Sequence, residues 1–310
     1  AEMTDNFQGR IFLGPDTEPE AKHHFSWRER ADERFDNVRV MRDEQFAYHK
    51  NYAPFAPNGQ YLAYMHNMKA TGAWERHHQA GKTNAVTGRF FEPRPSEEFY
   101  DNFKDFHNID NQIDDPLHQT KIKELKKELR RQQLKYFDSG LMPEEMRNRM
   151  IKEKKTTVYA FVRDPKLYPL AKYLDYADLA LTRNKKKLKI LTKGLSSEDS
   201  VIRYWSVVGL LLLEKEAKPA ISALKKALDD SDEIPALAAW AIYKAGDKAF
   251  AEKWMLEAII NNPGNKMLAN VLDWMDEGSF SILAKIPSDK LPQKGLLKDV
   301  VKRAEARKKG

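Results

Sequence analysis

Apolar and polar positions alternate with period two from Asp36 to Arg42 (Asp-Asn-Val-Arg-Val-Met-Arg), which places Val38 and Val40 on one face of an extended segment. The alternation breaks at Asp43-Glu44-Gln45 and resumes through Phe46, Tyr48, Lys50 and Tyr52. Two such runs across a short polar break predict a β-hairpin, and Pro54 and Pro57, which cannot donate to a strand ladder, close it. Residues 97–101 read as a further strand. The rest of the first 115 residues is rich in turn formers and aromatics, and residues 67–84 read as a long polar loop without core-like periodicity.

From Asp115-Pro116 the period lengthens. Ile122, Leu125, Leu129 and Tyr136 fall near one face of a helix that carries Lys and Arg elsewhere and that Ser139-Gly140 stops. Pro165 and Pro169 mark the next boundary, and beyond Leu181 the pattern is helical almost throughout. It also recurs. Leu191 and Leu195, then Glu198 and Asp199, lead into an apolar helix ending at Leu213. Leu224 and Leu228, then Asp229, Asp230 and Asp232, lead into a second helix through Trp240, and a looser third copy carries Leu256, Ile260, Leu268, Val271, Leu272 and Trp274. Such self-similarity predicts paired helices stacked as an α-solenoid, with a single irregular bundle as the plainer alternative. The acidic residues between paired helices suit helix N-termini. The expected fold is therefore α+β: a small antiparallel sheet with a packed helix over residues 1–165, then an all-α, HEAT-like repeat region over 166–310.

Composition narrows the chemistry. The 310 residues contain no cysteine, so disulfides, thiolate metal sites and a cysteine nucleophile are all excluded. No apolar run approaches the length of a membrane span; the longest candidate is Val207 to Leu213. Net charge is +7 but uneven: residues 1–120 hold 14 basic and 20 acidic side chains, residues 121–200 hold 21 and 11. All eight histidines precede residue 119. The pairs His23-His24 and His77-His78 lack the i, i+4 spacing of a helical zinc site, so no metal site is expected from them. Lys185-Lys186-Lys187 with Lys189, and Lys302-Arg303 with Arg307-Lys308-Lys309, are basic clusters without a nucleic-acid motif; the first reads as the solvated face of a helix, the second as a frayed tail. No phosphate-cradling glycine loop and no Gly-x-Ser-x-Gly is present.

Arg28-Glu29-Arg30-Ala31-Asp32-Glu33-Arg34 packs six charges into seven residues. One account is a solvated turn. The other uses the planar guanidinium fork, which matches sulfate or carboxylate oxygens, with Phe25 and Trp27 able to stack on a sugar ring and Asp32 or Glu33 able to hold the arginines in place.

The order of these segments resembles the C-terminal part of bacterial formylglycine-dependent sulfatases. Glu98-Phe99-Tyr100-Asp101 through Asp110-Asn111 is similar to the Glu-Leu-Tyr-Asp-x-x-x-Asp-Pro-x-Glu-x-x-Asn element of that family, with Phe106 where proline is usual and Asn108 where glutamate is usual. Phe25-x-x-Arg28-x-Arg30-x-Asp32-Glu33-Arg34-Phe35-Asp36, Val40-x-Arg42-Asp43-x-x-x-x-Tyr48-x-Lys50-Asn51-Tyr52 and Gly9-Arg10-Ile11-Phe12-Leu13-Gly14 resemble segments leading into and through the same subdomain. Some members of this bacterial branch continue into HEAT-like repeats.

The resemblance implies a sulfuric ester hydrolase acting on sulfated carbohydrate, of which these residues supply a rim of the substrate cleft and a scaffold. The family's nucleophile arises from a Cys/Ser-x-Pro-x-Arg motif, and no proline here has Cys or Ser two residues before it. Formylglycine, calcium and the catalytic groups are expected in an N-terminal domain that would precede Ala1, covalently or as a separate chain, so no catalytic residue, metal ligand or cofactor is expected in this chain. Arg28, Arg30, Lys69 and His77 are the candidate substrate-binding residues. The expected partners are that catalytic domain, a sulfated glycan and a second copy of the chain, with neither nucleic acid nor a membrane span, and the expected location is periplasmic or secreted. The rival reading is a HEAT-repeat protein-binding or scaffold module with no sulfatase role.

Overall fold

The computed structural model describes residues 9–32, 34–231 and 233–308; Glu33, Asp232 and Lys309, which figure in the patterns above, lie outside them. The fold is α+β. Four antiparallel strands, β1 (His24–Ala31), β2 (Arg34–Arg42), β3 (Phe46–Asn51) and β4 (Glu97–Asp101), form one sheet in the order β1-β2-β3-β4. The hairpin expected from period-two alternation is β2–β3, with Val40 opposite His49 and Met41 opposite Tyr48. The charged segment Arg28–Arg34 spans the end of β1, the turn at Asp32 and the first residue of β2. The register of β1 against β2 shifts between Arg28 and Arg30, a bulge that sends these two arginines to different surroundings.

The helix Gln119–Lys135 covers one face of the sheet. Ile122, Leu125 and Leu129 pack on Met41, Tyr48 and Phe99, all nearly solvent-free. That helix ends at Lys135, before the Ser139-Gly140 stop, because Phe137 takes a left-handed φ of 54°. Gly140 serves another purpose: a Cβ there would overlap the guanidinium of Arg39, which is 1% exposed and grips Asp138 through Nε (2.8 Å) and Nη2 (2.7 Å).

Beyond Leu181 the helices pack in pairs. Leu188–Gly194 lies against Ser200–Leu213, Ile221–Lys226 against Ile234–Ala245, and Lys248–Asn261 against Ile234–Ala245 and Lys266–Trp274. The second members form an inner row, Ser200–Leu213, Ile234–Ala245, Lys266–Trp274 and Leu296–Lys308, each against the next. Asp199 caps its helix by accepting from the N–H groups of Val201 and Ile202, whereas Asp230 receives a two-point pair from Arg203 (2.6 and 3.0 Å) that ties successive pairs together.

Each of the first three inner helices presents one tryptophan: Trp205, Trp240 and Trp274. These rings do not face solvent. Tyr52 meets Trp205 edge-on at 5.8 Å, and Phe55 packs on Trp240 and Trp274 at 6.0 and 5.3 Å. The connection leaving β3 thus fills the inner row, and one continuous core runs from Tyr52 to Ala304.

Residues 67–84, expected as a loop, contain the helix Lys69–Gln79. Its buried side chains are Thr71 and Glu75, so it lacks the apolar stripe that would have marked it. Glu75 is instead held by Arg303 (2.6 Å) and Arg307 (2.6 Å), while Arg303 also pairs with Asp273 (2.7 Å), itself bound by the fully buried Arg34 (2.7 Å). The terminal basic cluster is therefore no frayed tail through Arg307; it is a buried ionic clasp. Burial alone would raise the Glu75 carboxyl, but the nearby His66 ring (3.6 Å) and the Arg303 and Arg307 charges outweigh it and hold Glu75 well below the usual carboxylate range. Asp273 is lowered in the same way, its burial outweighed by Arg303 and Arg34.

Candidate functional site

The sheet has a second face. Because side chains alternate across a strand, the residues that do not meet the Gln119–Lys135 helix converge on the opposite side. Cross-strand register places Arg28 beside Val38, Val38 beside Asn51, Val40 beside His49, and His49 beside Glu98. With Tyr100 from β4 and Arg89 and Arg94 from the connection before it, these residues line a cavity of about 400 Å³.

Its chemistry is that of a polar cleft with cationic walls. Asp36 accepts from Arg28 and Arg94, each at 2.5 Å, one on each oxygen. Arg94 is further fixed by the carbonyls of Ala53 and Ala56, and Arg89 by those of Asn108 and Ile109. One carboxylate thus serves two of the three guanidiniums, and Arg89 donates to carbonyls, with Glu98 a second carboxylate lining the cavity. His49 stands edge-on to Tyr100 at 5.5 Å, with Nδ1 3.8 Å from Glu98. Burial, helped by the Arg28 charge, pushes His49 down to about 4, so the ring is neutral at neutral pH. Burial raises Glu98 against the opposing pull of Asn51, Arg94 and Arg89, and burial raises Tyr100 with Glu98 adding to it. Neutral imidazole and phenol groups beside fixed arginines suit recognition of an anion with neighbouring hydroxyls.

Of the residues singled out from sequence, Arg28 and Trp27 line this cavity. Arg30, beyond the bulge, lines a different and larger one and pairs with Glu144 at 3.5 Å. Lys69 and His77 are exposed on the Lys69–Gln79 helix and line neither. Asp36, not Asp32, holds Arg28; Asp32 is exposed in the turn with φ 53°. Phe25 packs on Tyr136, while Trp27 stays 63% exposed on the edge strand. His49, Arg89, Arg94, Glu98 and Tyr100 were not named as site residues from the sequence, although the alternation that aligns Val38 with Val40 aligns His49 with them once strand register is known.

Among the described residues, one group of three potential metal ligands occurs, His23, Asp43 and Glu124. The Lys121 ammonium already bridges Asp43 (3.2 Å) and Glu124 (2.8 Å), so the group does not fit calcium, which needs six to eight oxygens. No helix among the described residues is long and apolar enough to cross a membrane.

The chain is 31% identical over 140 residues to an ulvan-active sulfatase of Formosa agariphila, a match covering 44% of this chain and 23% of that protein. Part of the chain is thus sulfatase-related, and the matched region is under a quarter of the relative's length. No protein-family model matches the chain, and no solved structure matches it.

Proposed function

We propose that this chain is the non-catalytic C-terminal portion of a formylglycine-dependent sulfatase acting on sulfated carbohydrate, and that the open sheet face forms a rim of its substrate cleft. The observation that carries this reading is the convergence of Arg28, Arg89 and Arg94 on one cavity in a chain related to a sulfatase. Guanidiniums held by backbone carbonyls and by one shared carboxylate offer planar donors to sulfate or uronate oxygens without having to be ordered on binding. Formylglycine and calcium belong, in this reading, to an upstream catalytic domain. The helical region is a HEAT-like array following a sheet subdomain, and the whole works in the periplasm or outside the cell.

The rival reading, a scaffold that grips a partner on the inner helical row, loses support because Tyr52 and Phe55 already occupy that row. The test is a sulfatase assay on ulvan oligosaccharides with calcium, run on the chain alone and on a polypeptide carrying the upstream region. The chain alone is expected to give no turnover and the longer polypeptide to give it, with Arg89→Ala raising KM for oligosaccharides more than it lowers kcat. Turnover by the chain alone overturns the proposal.

A further inference from the structure

The larger cavity, about 800 Å³, lies between the β1–β2 hairpin, the segment around residues 140–148 and the starts of the inner helices. It sits at the upper end of the size range of small-molecule sites, ~300–1,000 Å³. Its walls differ in character from the sheet-face cavity. Six carboxylate side chains outnumber four basic ones, which disfavours a polyanion inside it. Phe35, Met142, Met267 and three prolines supply apolar area between amide side chains. The helices Glu144–Glu153, Lys266–Trp274 and Leu296–Lys308 deliver their amino ends to it, where first-turn N–H groups seek acceptors.

One wall residue is a buried amide. Asn270, on the inner helix Lys266–Trp274, is 4% exposed and its Oδ1 has no hydrogen-bond partner. The two cavities are also neighbours. Asp36 lines the larger one while its carboxylate holds Arg28 and Arg94 of the smaller.

We propose that the larger cavity is a second saccharide site, holding uncharged, hydroxyl-rich sugar units of the same polymer whose anionic unit faces Arg28, Arg89 and Arg94. This rests on the carbohydrate reading above and extends it from one sulfated unit to a stretch of chain. Interleaved donors, acceptors and apolar surface match a pyranose, which has hydroxyls around its edge and C–H groups on its faces.

The chain labelled with 13C-methyl methionine provides the test. Met142 and Met267 line the cavity, whereas Met41 lies in the core between sheet and helix. Titration with size-defined ulvan oligosaccharides, and with the same oligosaccharides desulfated, is expected to move Met142 and Met267 saturably and to leave Met41 unmoved, with desulfation changing the effect less than threefold. Gly264→Trp fills the cavity mouth from a position whose Cβ would meet nothing closer than Asn262 Oδ1 at 3.5 Å, so the fold should persist. It is expected to weaken the methyl response at least tenfold, and Asn270→Leu, which keeps the volume but removes the amide, at least threefold. Absence of shifts at Met142 and Met267, or shifts that survive Gly264→Trp, overturns the inference. If Arg89→Ala raises KM in the longer polypeptide while the methyls stay silent, only the second site is lost. If the methyls respond and Arg89→Ala has no kinetic effect, it is the sheet-face assignment that fails.

Discussion

The helical row and the sheet each present one face that their own partner helices leave uncovered, and they treat it in opposite ways. The inner helices present Trp205, Trp240 and Trp274, and the chain covers them itself with Tyr52 and Phe55. The sheet presents Arg28, His49, Glu98 and Tyr100, and among the described residues this face stays an open cavity. Large aromatic area drives its own burial, whereas the guanidiniums of the sheet face are held by hydrogen bonds to carbonyls and to one shared carboxylate. The difference teaches where to look for function: the helical row fills its own groove, and the proposed recognition chemistry is the sheet's.

The sharpest way to break the contrast is at the clasp that closes the array. Asp273→Ala leaves Arg34 and Arg303 buried without their shared carboxylate, and should cost about 3–5 kcal/mol in urea unfolding. Trp240→Ala, which empties the centre of the aromatic stack, should cost about 3 kcal/mol or more by the same measurement. Losses below about 1 kcal/mol in both would mean that the inner row is not what holds the array together.

Acid should find the clasp as well. Glu75 and Asp273 have lowered carboxyls in the folded chain, so the unfolded chain binds protons first as pH falls. Their stabilisation is complete above the ordinary carboxylate range near pH 4–4.5 and is lost progressively below it. Unfolding midpoints followed from pH 7 to pH 3 should stay nearly level and then drop. Glu75→Gln should flatten the drop, and an identical profile in that variant would contradict the assignment.

On the sheet the expected effects reverse. Arg89→Ala removes bonds to two loop carbonyls near the surface and should change stability by about 1 kcal/mol or less, while weakening the binding of sulfated oligosaccharide severalfold. Lys69→Ala and His77→Ala, at exposed positions outside both cavities, should shift stability by no more than about 0.5 kcal/mol and leave oligosaccharide affinity unchanged in isothermal titration.

How far the sequence could be read follows from the same physics. The β2–β3 hairpin and the Gln119–Lys135 helix were legible because each buries apolar side chains at a regular period, and β4 because two aromatics adjoin in a short run. β1 was not: an edge strand that ends in Arg28-Glu29-Arg30 around a bulge and runs into a charged turn carries no apolar alternation. The Lys69–Gln79 helix was hidden because its buried face is Thr71 and Glu75, whose partners Arg303 and Arg307 lie more than two hundred residues away. Arg28 could be named from its local arginine cluster. His49, Glu98, Arg89 and Arg94 could not, since only strand register and the path of the connection before β4 bring them together.

The most direct test of the contrast is the ring titration of His49, followed by NMR in the chain with and without a sulfated ulvan oligosaccharide. Free, the ring should titrate near 4; a bound anion beside it favours the charged form and should move that value upward, while tryptophan side-chain resonances of the inner row stay in place. A His49 titration indifferent to the oligosaccharide, with the Trp205 and Trp240 indole signals shifting instead, would place recognition on the helical row and contradict the account.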